Sequence, residues 1–278
     1  MDRGDLRNYI FNFWNTDLRY FSFARLLNLD YKDSSHPFHL EIIRTINAHE
    51  LVLDLGCGSA EIGREISNKG ASYFGIDIST IGLKLAADYR KEGVSLTKCN
   101  VENIPFKDNS FDVVISVYSL EHFLYPEKIL REAHRVLKQN GRIMILSEAY
   151  DNPLVYPPSL CFSAISHLSF RDKIKSKRFK ELFYHFYNRF KYIMLQFFKQ
   201  IRLNLSKSYY SFEMISKPRI LNEAYSQDFD VVYIVSIREI INFLKLLGMS
   251  IEFVKSNASA FSFTKYFIKP LFVIARKY

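Results

Sequence analysis

Short apolar runs alternate with helically spaced segments through the first 150 residues. Leu51-Val52-Leu53-Asp54-Leu55 is an apolar run ending in Gly56-Cys57-Gly58-Ser59, the pattern of a buried strand followed by a glycine turn. Residues 60–69 follow with Ile62 and Ile66 at helical spacing. Residues 72–77 read as a second strand, and Ser79 is placed to cap a helix over 80–91. Residues 94–99, 111–117 and 141–146 read as strands three to five. A helix over 126–138 puts Ile129, Ala133, Val136 and Leu137 on one face. This alternation predicts an α/β fold, a parallel doubly wound sheet with right-handed crossovers.

The flanking regions differ. Residues 6–31 carry Tyr9, Phe13, Trp14, Tyr20, Phe23 and Leu27, the pattern of aromatic helices that either close over a site or pack as core. After residue 150, Asn152-Pro153 and Tyr156-Pro157-Pro158 suit an irregular loop. Over 178–205, Phe179, Phe183, Phe186, Phe190, Ile193, Phe197 and Ile201 recur at three- and four-residue steps, with Lys180, Arg189, Lys191, Lys199 and Arg202 on the other sides. Three readings of this basic amphipathic helix stay open: a lid whose aromatic face packs on the domain, a membrane-surface contact, and a nucleic-acid grip. The nucleic-acid reading is disfavoured, because no RNA-binding module pattern accompanies the stripe. Ser236-Ile237-Arg238-Glu239 has the form of a capping box opening a helix through Leu247, closed by Gly248.

Charge sharpens this division. Residues 1–150 hold 18 Lys/Arg and 20 Asp/Glu, whereas 151–278 hold 20 and 9. The net charge of +9 therefore sits in the second half, with 13 basic and 3 acidic residues in 171–219 alone. An apolar content of 48% excludes a disordered chain. The three cysteines, Cys57, Cys99 and Cys161, form no C-x-x-C pair, which argues against a disulfide framework or structural zinc and for a reducing, cytosolic compartment. The N-terminus has no signal-peptide pattern, and no stretch is apolar enough for a spanning helix.

A strand, a Gly-x-Gly turn and a helix start form a nucleotide-type site, where missing Cβ atoms admit a ligand and the helix offers free N–H groups. Asp77, at the end of the second strand, is placed to accept from both hydroxyls of a ribose. A dinucleotide fingerprint wants glycine at position 61, where this chain has Glu61. Asp54, two residues before the first glycine, repels a pyrophosphate and tolerates a ligand with a free ammonium.

Residues 51–58 resemble motif I of the class I S-adenosylmethionine-dependent methyltransferases, with Ala60 for its third glycine. Ile76-Asp77-Ile78-Ser79 resembles their ribose-binding motif. Asn100-Val101-Glu102-Asn103-Ile104-Pro105-Phe106 with Asp108-Asn109-Ser110-Phe111-Asp112 resembles a block of the type 11 subgroup. Leu120-Glu121-His122 and residues 135–141 match later blocks. The resemblance covers about residues 45–150. It implies a Rossmann-like seven-stranded sheet with an antiparallel last strand and a helical insertion after strand 5. The implied divisions are N-terminal aromatic helices over 1–44, a cofactor-binding core over 45–150, an insertion over 151–235, and a final helix with strands near 251–254 and 271–275 over 236–278.

For the site, the resemblance implies S-adenosyl-L-methionine as cofactor. Asp54, Gly56 and Gly58 would line its methionine part, and Asp77 would hold the ribose. Ile78, Asn100 and Val101 would meet the adenine, with Ser116 and Val117 as the floor near the sulfonium. The family usually has Asp at the position of Asn100, whose amide oxygen can still accept from the adenine amino group. His122 is the candidate general base, or else a cap on the following helix. Tyr118 lines an acceptor pocket or belongs to the core. Relatives that methylate quinone precursors carry a Glu where Tyr118 stands, so no dedicated metal site is expected. The expected activity is methyl transfer to a small-molecule or glycan/lipid-linked acceptor, at oxygen. The rivals are a non-catalytic cofactor-binding module and an RNA methyltransferase that uses the basic insertion.

Overall fold

The computed structural model describes residues 3–16, 37–87, 93–154, 157, 174–175, 177, 179–206, 208–215, 231–256 and 269–278. In chain order the elements are α1 (Arg3–Thr16), α2 (Pro37–Thr45), β1 (Leu51–Leu55), α3 (Glu61–Asn68), β2 (Ser72–Asp77), α4 (Thr80–Ala87), β3 (Val94–Lys98) and β4 (Phe111–Val117). A 3₁₀ turn over Leu120–His122 leads to α5 (Pro126–Val136), β5 (Leu137–Ala149), α6 (Phe179–Leu205), α7 (Ile237–Leu246), β6 (Met249–Ser256) and β7 (Lys269–Lys277). The readings made at Tyr20, Phe23, Leu27, Tyr156, Pro158, Cys161 and residues 88–91 lie outside the described residues.

Seven strands form one sheet in the order β3-β2-β1-β4-β5-β7-β6, with β7 antiparallel to both neighbours. Strand alternation divides the core into two layers. Leu53, Leu55, Val114, Ile143 and Ile145 pack on one face, with Ile129, Leu130, Ala133 and Val136 of α5 and Phe243 and Leu244 of α7. Val52, Val113, Ile115 and Met144 pack on the other, with Phe38 and Ile42 of α2 and Ile62 and Ile66 of α3. Sequential parallel strands on both sides of β1 create a crevice at the carboxyl edge, where the strand order reverses.

Local chemistry moves three boundaries and faces from those expected. Helix α5 stops at Val136 because Leu137 turns extended and pairs with Phe111, so β5 begins four residues earlier than expected. The capping box at α7 does not form. The Ser236 hydroxyl donates instead to Asp151 Oδ1 (2.6 Å), and the Ile237 N–H donates to Asp151 Oδ2 (2.9 Å). Glu239 turns away from the helix start, accepts from the backbone N–H groups of Ser211 and Phe212 and from the Tyr233 hydroxyl, and pairs with Lys199 Nζ at 3.1 Å. Burial pushes its carboxyl up, but Lys199 and these donors outweigh burial and hold it below its ordinary range.

The third difference is the largest. Helix α6 exists as expected, but its aromatic stripe does not pack on the domain. Phe179, Phe183, Phe186, Phe190, Phe197 and Ile201 are exposed, and of the seven stripe residues Ile193 is partly buried. The inward side is Leu182, Tyr192, Gln196, Lys199 and Leu203. Gln196 donates to Glu213 (2.7 Å), and Gln200 donates to Asp151 (3.3 Å). These bonds and the Lys199–Glu239 pair fix the roll of the helix, so the lid reading of the stripe is corrected.

Candidate functional site

The turn after β1 brings two backbone donors to one carboxylate. Gly56 (φ 74°) and Gly58 (φ 51°) lie in the left-handed region that glycine adopts without strain. At Gly56 a Cβ would meet the Ser119 side chain at 2.9 Å and the Phe123 ring at 3.3 Å, so this turn must be glycine for packing as well. Ala60 takes φ 54° in the third motif I position, as the retained turn requires. Asp77 Oδ2 accepts from the Gly58 N–H (2.8 Å), and its Oδ1 accepts from the Ser79 N–H (2.7 Å). Burial pushes the Asp77 carboxyl above its ordinary range. The donors on Ser79, Gly58 and Ile78 and the charge of His122 pull the other way. The result is an oriented acceptor whose remaining lone pairs are available to hydroxyls.

The chain leaving β4 supplies another part of the wall. Tyr118 sits at φ 48°, a conformation that costs a bulky residue energy and recurs at functional sites. Its N–H is held by the Leu146 carbonyl (2.7 Å). The Ser119 hydroxyl donates to the Leu55 carbonyl (2.7 Å) and shares a hydrogen bond with Ser116 (2.8 Å), fastening the end of β4 to the end of β1. His122 lies within the 3₁₀ turn, buried against Trp14 with ring centroids 6.0 Å apart. It does not cap the next helix, which starts at Pro126 after Tyr125 without a side-chain cap. Glu121 is fully buried and accepts from the Ser147 hydroxyl (2.8 Å), which makes it a brace on β5.

Helix α1 closes one side. Trp14 accepts from the Ser79 hydroxyl through its carbonyl (2.6 Å), and Asn15 accepts from the Thr80 N–H (2.9 Å). Arg7 pairs with Glu102. These contacts set α1 along one side of a cleft that stays partly open to solvent. Arg7, Ile10, Phe11 and Trp14 line it from α1. Gly56, Gly58, Asp77, Ile78, Ser79, Cys99, Asn100, Val101 and Glu102 line it from the first three strand ends. Tyr118, Ser119, His122, Phe123, Leu124 and Ile129 complete it.

Of the residues named from sequence, the structure thus brings Gly56, Gly58, Asp77, Ile78, Asn100, Val101, Tyr118 and His122 onto one cleft. Asp54 and Ser116 lie just behind this lining. Asp54 is buried and accepts from the Tyr73 hydroxyl (2.6 Å). Burial pushes its carboxyl up to about 7, against the Tyr73 bond and with the Asp77 charge adding. Ser116 lies beneath Ser119. The Asn100 amide oxygen already accepts from the Glu102 N–H (2.9 Å), leaving one lone pair for a ligand. Burial and the neighbouring carboxylates push the Cys57 thiol well up, so it is no nucleophile at neutral pH. Sequence reasoning missed Arg7, Ser119 and Glu102, and it named Trp14 only as one aromatic among several. Among the described residues no group of three His, Cys, Asp or Glu side chains is placed to hold a metal ion.

Comparison with known proteins fits this geometry. Residues 53–145 match the family described as Methyltransferase domain. This segment is a methyltransferase domain. It is similar to the demethylmenaquinone methyltransferase of Tropheryma whipplei, 33% identical over 113 residues covering 40% of this chain and 47% of that protein. It is also similar to a ubiquinone/menaquinone biosynthesis C-methyltransferase of Citrobacter koseri, 29% identical over 125 residues covering 42% and 49%. The chain thus spans about half the length of these curated relatives. Over the whole fold, a crystal structure of an S-adenosylmethionine dependent methyltransferase from Mesorhizobium loti superposes with a TM-score of 0.57 at 16% identity, covering 88% of this chain and 98% of that one. The methyltransferase domain therefore has the class I Rossmann-like architecture expected from its sequence.

Proposed function

We propose that the protein transfers a methyl group from S-adenosyl-L-methionine to a small, largely apolar acceptor. The observation that carries this is the Asp77 carboxylate, gripped at both oxygens by backbone N–H groups on the wall of a cleft otherwise rich in apolar side chains. The residues fit the cofactor. Asp77 takes the ribose hydroxyls, Gly56 and Gly58 leave room beside the turn, and Ile78, Val101 and Asn100 meet the adenine. When bound, the cofactor supplies the electrophilic methyl group, and the protein's work is alignment and exclusion of water.

Trp14, Phe11 and Leu124 favour an apolar ring or chain in the acceptor over a phosphate-rich one. The names of the relatives above, which act in quinone biosynthesis, point the same way. His122, on the wall and next to Trp14, is the base that takes the acceptor's proton. An ionisable hydroxyl makes oxygen the receiving atom. A carbon beside such a hydroxyl is the second reading, favoured by the relative named a C-methyltransferase. Titration calorimetry tests the first step: Asp77→Ala abolishes binding of S-adenosylmethionine to a folded protein, and unchanged affinity overturns the reading. With ¹³C-methyl cofactor and a hydroquinone panel, the product's methyl shift separates O–CH₃ from C–CH₃.

A further inference from the structure

The outward face of α6 has no role in the cleft. At 3.6 residues per turn, Phe179, Phe183, Phe186, Phe190, Phe197, Ile201 and Leu205 fall within an arc of about 100°. Phe183 is 74% exposed, Phe190 62% and Leu205 83%. Fixed polar bonds on the opposite side prevent the helix from rolling this face inward. Contiguous exposed apolar surface of this kind marks an interaction site.

The charge beside it is one-signed. Lys180, Lys191 and Arg202 follow one edge of the stripe, about 20–60° beyond it on the helix wheel, Arg189 falls about 60° beyond the other edge, and Lys175 and Lys177 are exposed just before its start. Glu181 is the helix's one acidic residue and falls on the wheel about 200° from Phe179, away from the stripe. A cylinder of about 40 Å with an apolar ridge and a basic edge fits a flat anionic surface. Rings enter the headgroup boundary while lysine and arginine stems reach outward to phosphates. Nucleic acid fits less well, because a continuous apolar ridge finds an apolar boundary in lipid and none on a phosphate backbone. No helix among the described residues is long and apolar enough to cross a membrane.

We infer that α6 docks this protein on an anionic lipid bilayer, its Phe183–Phe186–Phe190 ridge in the interface and Lys180, Lys191 and Arg202 on the lipid phosphates. Gln200 of α6 is bonded to Asp151, two residues past the end of β5, so the helix stands at the sheet edge that carries the cleft. The docking surface does not depend on the methyl-transfer reading.

Flotation of the full chain with vesicles of phosphatidylcholine alone, or with 30% phosphatidylglycerol, tests it. The expected result is flotation with anionic vesicles, at least tenfold stronger than with neutral ones and weakened by salt. The variant Phe183→Ser/Phe186→Ser/Phe190→Ser loses flotation while its circular dichroism and melting temperature stay those of the parent. Lys180→Gln/Lys191→Gln/Arg202→Gln loses the preference for anionic lipid. Absence of flotation by the parent overturns the inference, as does flotation unchanged in the Phe variant. So does a parent dimer that the Phe substitutions convert to monomer without any vesicle binding, since the ridge would then be a contact between copies. Unchanged S-adenosylmethionine affinity in both variants separates this outcome from failure at the cleft.

Discussion

Helices α5 and α6 obey the same arithmetic and end up facing opposite ways. In α5 the residues at three- and four-step spacing, Ile129, Ala133 and Val136, lie in the core with almost no exposure. In α6 the equivalent stripe is turned out, and a row that mixes Leu182, Tyr192 and Leu203 with Gln196 and Lys199 is turned in. Helical periodicity states that a helix has two faces. What each face meets is decided by the partners. For α5 the partner is a sheet of apolar strands. For α6 it is a polar socket of Glu213, Glu239 and Asp151, whose carboxylates select a row able to donate to them.

Substitutions can break that comparison or sharpen it. Lys199→Met leaves Glu239 buried without its cation and is expected to destabilise by about 3–5 kcal/mol, as breaking a buried pair does. Urea denaturation measures it, and a loss below about 1 kcal/mol would show that the socket does not hold α6. The two halves also bury carboxyl groups displaced in opposite directions, Asp54 upward and Glu239 downward. Asp54, lifted to about 7, is protonated more readily folded than unfolded, so its stabilising contribution is full below its ordinary value of 3.8 and disappears as pH rises through about 7. Asp54→Asn should therefore gain on the parent across that window, by up to about 4 kcal/mol at pH 8. Parallel stability–pH curves for the two proteins would refute it. Glu239 is held low, so its contribution is present above its ordinary value of 4.5 and fades as pH falls below that. Glu239→Gln should flatten the acid limb of the curve.

The smaller effects concern the faces themselves. Leu130→Ala on α5 opens a cavity in the core and should cost about 2–4 kcal/mol. Phe190→Ser on α6 removes an exposed ring and should change stability by no more than about 0.5 kcal/mol. Matching losses for the pair would mean that the α6 stripe is covered in solution.

The strands, the glycine turn and Asp77 were legible because each rests on local signals: an apolar run, a left-handed turn, a carboxylate at a strand end. The cleft's remaining walls were not. Arg7 meets Glu102 across 95 positions, and Trp14 meets Ser79 across 65. No spacing rule reaches so far. The expected capping box at Ser236 and Glu239 failed for a related reason. A local pattern was satisfied by distant groups instead, Asp151 at the helix start and Lys199 at the glutamate. The partner of Asp54 was not legible either, because its bond to the Tyr73 hydroxyl joins neighbouring strands 19 positions apart.

Asp151 marks both ends of the segment between β5 and α7. The chain departs from the sheet at this residue and returns to it at Ser236, where the same carboxylate receives it. The Tyr150 N–H donates to the Val235 carbonyl one step earlier (2.9 Å). Everything between is thus a closed excursion with a common door. A different segment could leave and rejoin the sheet through the same door, provided that it supplied a cation for Glu239 and filled the places of Phe212 and Tyr233 in the core.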